Sequence, residues 1–145
     1  MAGKSDYLEQ LILDLVFKAT TNATYASVAG SASNLYVSLH TADPYAANET
    51  GTQSTSEISY TGYARVAVAR SAGGWTRTGS SVSPAANIEF GQMTAGTGGT
   101  VTHFVIGELS SGTGAILYSG TVTPNIAVTN GVIPRLTTAS TITED

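Results

Sequence analysis

Asn34-Leu-Tyr-Val-Ser-Leu-His-Thr-Ala-Asp-Pro44 is the stretch whose reading decides the fold. Leu35, Val37 and Leu39 alternate with Tyr36, Ser38 and His40, a period of two that reads as a half-buried β-strand. Asp43-Pro44 closes it, because proline has no N–H to give to a ladder. The same period recurs downstream. Tyr63 to Arg70 reads as a second strand with Val66 and Val68 on one face, and Gly73-Gly74 turns the chain into a short third, Trp75 to Thr78. Pro84 precedes a fourth, Asn87 to Phe90. Val101 to Leu109 is the fifth and the most apolar, which places it in a sheet centre, and Ala115 to Val122 is the sixth. Asn125 to Thr129, Asn130-Gly131 and Val132-Ile133 read as a hairpin, since a tight two-residue turn needs positive φ at both positions. Leu136 to Thr143 reads as a last strand.

The strand count is about eight, rich in Ser, Thr, Val, Tyr and Gly and spaced as in a sandwich or barrel. The expected fold is all-β, a two-sheet β-sandwich of which the jelly roll is one form, with one N-terminal helix. At 145 residues the chain is read as one domain, 1–145, with the sandwich over 34–145. The helix is placed at 6–19. Asp6 and Glu9 have the spacing of a capping box, and Leu8, Leu11, Ile12 and Leu15 recur as an apolar stripe. Such a stripe needs a cover, from the sheets or from a neighbouring subunit. The stretch 42–60 is polar with Ile58 as its one strong aliphatic residue, and reads as a long surface loop that contact with a partner holds down.

Composition excludes several function classes. Charged residues are 11%, about half the usual share, while Ser and Thr make up about a quarter. The net charge is −4, and the four arginines are scattered, so no basic field draws nucleic acid. There is no cysteine, hence no disulfide frame and no thiolate metal site. The run Leu8 to Phe17 is too short to span a bilayer and is interrupted by Glu9, Gln10 and Asp14, and no signal peptide is visible. These features suit synthesis in a bacterial cytoplasm followed by entry into a large assembly.

Few residues suggest chemistry. Ser38, His40 and Asp43 have the types of a hydrolytic triad, but no nucleophile elbow surrounds them, and a solvent-facing strand edge leading into an Asp-Pro turn is the simpler reading. His103, with only one other histidine in the chain, reads as half-buried and bonded to a sheet neighbour, not as a metal ligand. Gly96-Thr-Gly-Gly-Thr100 lacks the Gly-Lys-Ser/Thr ending of a phosphate loop and precedes a strand, so it reads as a turn. Glu89 and Glu108 lie in or beside strands, and each could be one of a carboxylate pair; acids at strand ends are usually solvated, which is the simpler reading. Trp75, Tyr60, Tyr63 and Arg77 form either an aromatic surface patch or, more simply, a core tryptophan with edge tyrosines. The Asn-x-Thr triplets at Asn22 and Asn48 are chance matches without a secretory signal. No catalytic, cofactor or metal residues are expected.

Six stretches together resemble a family of small virion structural proteins of tailed bacteriophages, whose members are described as head-decoration or tail-fibre-like. They are Met1-Ala-Gly-Lys-Ser-Asp-Tyr-Leu8, Leu35 to Pro44, Gly62-Tyr-Ala-Arg65, Gly99-Thr-Val-Thr-His-Phe104, Ile116-Leu-Tyr-Ser-Gly120 and Thr141-Ile-Thr-Glu-Asp145. The family's usual glycine-rich segment before Tyr-Ala-Arg is replaced here by the polar stretch 46–59. The resemblance implies a non-enzymatic, homo-oligomeric building block, a dimer or trimer, without cofactor, nucleic acid or membrane partner. The preferred expectation is a capsid cement or decoration protein on the outside of the major capsid protein shell. The alternative is a tail-fibre or tail-tip component facing a host receptor. Partner contacts are expected at Tyr7 and Leu11 of the helix, Tyr45 and Tyr60 of the polar stretch, and Trp75 and Arg77.

Overall fold

In the computed structural model the described residues are 6–19, 33–45 and 51–143, with side chains from Gln10 onward. They form one helix, α1 (Asp6–Lys18), and nine strands: β1 (Asn34–His40), β2 (Val66–Ala69), β3 (Trp75–Thr78), β4 (Ser81–Pro84), β5 (Ile88–Glu89), β6 (Gly99–Gly107), β7 (Ile116–Val128), β8 (Arg135–Leu136) and β9 (Ile142–Thr143). The sheets have the orders β2-β1-β6-β7, β3-β4-β9 and β5-β8. A mostly antiparallel chain with one short helix is the all-β architecture expected of a sandwich. The chain divides into two compact units, Met1–Asn34 with Val68–Asn87 and Leu136–Asp145, and Leu35–Ala67 with Ile88–Arg135.

In the first unit α1 packs on β3 and β4. Its buried residues are Leu13 and Phe17, four apart and therefore on one face, against Trp75 and Val82. Phe17 meets Trp75 edge to face with centroids 4.6 Å apart, a geometry worth about 1 kcal/mol beyond simple burial. The stripe read from the sequence is corrected here. Leu11, Ile12 and Leu15 are only half-buried, and the Leu8 side chain and the capping box lie outside the described side chains. The helix is apolar around a wide arc, so the pairs 11/15 and 13/17 fit the helical period equally well. Beside the buried face, Asp14 accepts from Arg77 at 2.6 Å and from Lys18 at 3.2 Å, and Arg77 also donates to Gln10. The last turn of a helix leaves carbonyls without partners. Arg70 supplies them, donating to the carbonyls of Leu15 and Val16 at 2.8 and 2.7 Å. Ala19, at φ 50°, turns the chain out of the helix.

In the second unit the most apolar strand, β6, lies between β1 and β7 as its composition predicts. β1 and β6 pair antiparallel from Tyr36 opposite Gly107 to His40 opposite His103. Leu35, Val37, Leu39, Val101 and Val105 are buried.

Several strand readings change. β3 is followed at once by β4 through the turn Gly79-Ser80, with Thr78 opposite Ser81. No strand period is visible there in the sequence, because Ser81-Val-Ser-Pro84 holds one aliphatic residue. The sixth strand and the first arm of the expected hairpin are one strand, β7, with a bulge where Val101/His103 face Ile126/Thr121. The Asn130-Gly131 turn is present, with Val132 N–H on the Thr129 carbonyl and Gly131 at φ 89°. Its second arm leaves β7 instead of pairing with it. Met93 N–H bonds the Val132 carbonyl, and Phe90 N–H the Pro134 carbonyl.

The helix face is open to a direct check. Leu13→Ala is expected to lower the stability of the first unit by about 2–5 kcal/mol, and Leu15→Ala by only about 1 kcal/mol. Urea unfolding followed by fluorescence of Trp75, the single tryptophan, reads that unit directly.

Candidate functional site

The second unit is organised around a charge pair that sequence reasoning did not single out. Arg65 and Glu57 meet side-on, with Nε donating to Oε1 at 2.8 Å and Nη2 to Oε2 at 2.7 Å. The Arg65 side chain is 3% exposed and that of Glu57 15%. A buried guanidinium needs its other N–H groups answered. Nη1 donates to the Leu109 carbonyl at 2.9 Å and Nη2 to the Gly112 carbonyl at 2.8 Å. Tyr63 donates its hydroxyl to Glu57 Oε1 at 2.9 Å and accepts the Leu39 N–H at 3.1 Å. Burial pushes the Tyr63 phenol well above its ordinary pKa, so it stays a donor. The hydrogen bonds to Glu57 raise Arg65 further still.

Gln53 extends the network. It is fully buried. Its Oε1 accepts the N–H groups of Glu108 and Leu109 at 3.1 and 2.9 Å, and its Nε2 donates to the Leu109 carbonyl. A Cβ on Gly107 or Gly114 would overlap this amide, so only glycine lets the two segments approach. The stretch expected as a surface loop is corrected accordingly. Between Gly51 and Tyr60, Gln53, Ile58 and Tyr60 are buried, and Ile58 N–H bonds the Leu39 carbonyl. Gln53 and Glu57 turn inward because they answer Arg65 and the 108–109 backbone, while Ser54, Ser56 and Ser59 stay exposed. Residues 46–50 lie outside the described part.

Ser38 and His40 are also fully buried, which corrects the reading of a solvent-facing strand edge. Segment 55–58 covers them, with His40 bridged to Glu57. His40 Nδ1 lies 2.8 Å from the Thr55 carbonyl, which can only accept, so Nδ1 carries the proton. Nε2 therefore accepts from the Ser38 hydroxyl at 2.9 Å. This is the bond that activates a serine nucleophile, but here no solvent reaches it. Asp43 is elsewhere, accepting the Tyr45 N–H. Burial is the main cause holding His40 below its ordinary pKa of 6.5. The Thr55 bond and Glu57 oppose that shift, and Arg65 and His103 add to it. His103 is half-buried, with Nδ1 2.9 Å from the Thr102 hydroxyl.

The residues expected at partner contacts scatter. Trp75 is 1% exposed, the core tryptophan of the first unit, where Arg77 is tied to Asp14 and Gln10. Leu11 is half-buried in that unit, and the side chain of Tyr7 is outside the described ones. Tyr45 donates to the Ile116 carbonyl at 3.1 Å in the second unit. Tyr60 is buried there, donating to the Gly91 carbonyl, 5.3 Å from Tyr63, which in turn stacks on Phe90. Glu89 is paired with Arg135 at the surface. Among the described residues no group of His, Asp and Glu could hold a metal, and no helix is long and apolar enough to cross a membrane.

Beside this clamp of Arg65 and Glu57 an open groove of about 670 Å³ is lined by Thr41, Glu57, Ile58, Ser59, Tyr60, Thr61 and the turn Gly96-Thr97-Gly98. Thr61 and Ala95 bridge its two walls, with N–H to O at 2.9 Å. The turn depends on glycine, with φ of 102° at Gly96 and 64° at Gly98.

Residues 3–143 match the family model of podophage GP4 fiber I protein gp80. The chain belongs to that family. No curated protein matches it. It is thus a fibre-related structural protein of a tailed phage, and the fibre family's match spans both units. Within it, the stretches that stand out in the sequence have physical roles. Leu35 to His40 is the strand the clamp covers, Gly62 to Arg65 supplies the clamp's tyrosine and arginine, and Gly99 to Phe104 is the strand paired with His40.

Two outcomes follow for the clamp. Glu57→Gln leaves Arg65 buried without its counter-charge and is expected to cost about 3–5 kcal/mol, whereas Glu89→Gln at the exposed Arg135 pair costs less than about 1 kcal/mol; urea unfolding by circular dichroism compares them. His40 takes up a proton less readily folded than unfolded. Its contribution to stability is therefore complete above pH 6.5 and is lost as pH falls towards its lowered folded value, by at most about 1.4 kcal/mol per pH unit. In His40→Gln that loss below about pH 6.5 is absent from the unfolding midpoints.

Proposed function

We propose that this chain is a fibre-associated building block of the virion, a non-enzymatic subunit that works by rigidity and association. One observation carries the reading: the groups that could do chemistry are engaged inward. Glu57, Arg65, Tyr63, Gln53, Ser38 and His40 all bond within the second unit, which makes it stiff and leaves none of them as an exposed reactive centre. The family's name points that rigid body at a fibre. Its partners are other copies of itself, as dimer or trimer, and neighbouring fibre or tail proteins, with a host receptor at the far end.

The capsid cement reading is the second one. It draws on the lack, among the described residues, of a repeat or of a coiled-coil stem: α1 has 13 residues and is the one helix there. Cement would bind the major capsid protein on the capsid surface and add interface area at every site of the shell.

Copy number separates the two. Quantitative gel densitometry of purified particles against the major capsid protein is expected to give a ratio on the order of one in fifty or lower, as fibre geometry requires. A ratio within a few-fold of parity overturns the fibre reading in favour of cement.

A further inference from the structure

We propose that the groove beside the clamp is a binding site for a neutral saccharide. The inference is independent of where in the particle the chain sits.

The groove's lining selects the ligand by chemistry. Ser59, Thr61 and Thr97 are exposed, and their hydroxyls make no hydrogen bond to other described residues. Thr41 adds a fourth hydroxyl, which donates to the Ser56 carbonyl at 3.2 Å and keeps lone pairs to accept with. A Ser or Thr hydroxyl both donates and accepts and rotates to suit, as does each hydroxyl of a sugar. Among the described residues of the lining Glu57 is the one that is charged, and Arg65 neutralises it at 2.7 Å. An anionic ligand therefore finds no free cation, and a cationic ligand finds no unpaired carboxylate. Apolar surface is scarce as well. Ile58 is 3% exposed and Tyr60 8%, too little to anchor the side chains of a peptide. What remains complementary is an uncharged ligand covered in hydroxyls.

The site is also built before any ligand arrives. One wall, 57–61, is fixed from behind by the Arg65–Glu57 pair and by the bond from Tyr60 to the Gly91 carbonyl. The other, the Gly96–Gly98 turn, is tied to it through Thr61 and Ala95, and a Cβ on Gly98 would strike the Val128 carbonyl, so the turn lies close on the end of β7. Fixed walls reduce the ordering cost that weakens binding through flexible polar loops. The volume of about 670 Å³ is in the range of small-ligand sites, and its open side admits a stretch of a longer glycan chain.

The test uses the full isotope-labelled chain and amide NMR. The probes are neutral trisaccharides of glucose, galactose, mannose and N-acetylglucosamine, with an acidic trisaccharide containing a uronic acid as the contrast. At least one neutral probe is expected to shift the amides of 57–61 and 96–98 at millimolar concentration. Thr97→Trp, which fills the groove from an exposed turn, is expected to weaken that binding about tenfold or more. Ser59→Arg, from the opposite wall, should do the same, and both variants should otherwise keep the wild-type spectrum. The proposal is overturned if no neutral probe moves these amides, if the acidic probe binds more tightly than every neutral one, or if both folded variants bind as well as the wild type.

Discussion

The buried pair of Glu57 and Arg65 is the interaction on which the second unit depends. A guanidinium taken out of water is tolerated only when each donor is answered. Here the answers come from segments far apart in the chain: Glu57 ahead of it, and the carbonyls of Leu109 and Gly112 behind β6. The charge thus sets where the turn after β6 must sit and where the polar stretch before β2 must lie. Gln53 repeats the logic without charge, turning a side-chain amide into a surrogate strand for residues 108 and 109. Tyr63 then joins the pair to the Leu39 N–H of β1. Each partner is costly to leave unmade, so the network specifies one arrangement more sharply than apolar packing alone.

The first unit is held together differently. Its core is a helix face on a hairpin, with Phe17 and Trp75 in edge contact, and its charges lie at the rim. Arg70 and Arg77 act there as ties between helix and strands, one on backbone carbonyls and one on a carboxylate. With Arg65 in the second unit and Arg135 on Glu89, all four arginines join segments distant in sequence, which is why a chain so poor in charge places them as it does.

How much of this was legible depended on the range of the interaction. The alternation of Leu35, Val37 and Leu39 read directly as a strand, and the apolar run from Val101 as a central one, because each signal lies within its own segment. Gly62-Tyr-Ala-Arg65 stood out as a motif, but its partner Glu57 lies in a stretch whose polarity suggested solvent. Polar residues that satisfy one another inside a fold look, in sequence, like polar residues that face water. The Asn-Gly turn was legible too, but not the path of the strand after it, which bonds to 90–93 instead of β7. The helix was placed correctly and its buried face was not, because two apolar pairs shared the same spacing. No local pattern announces the groove, which exists only because the clamp fixes 57–61 beside a distant glycine turn.

The most direct test of the clamp as the organising constraint is amide hydrogen exchange on the intact chain. The N–H groups of Leu39, Glu108 and Leu109 are bonded to side chains of the network and not to a strand ladder. If the network opens only when the unit unfolds, these three amides exchange as slowly as those of Val105 and Ile106 in the centre of β6. Exchange at the rate of an exposed loop, while β6 stays protected, would contradict the account.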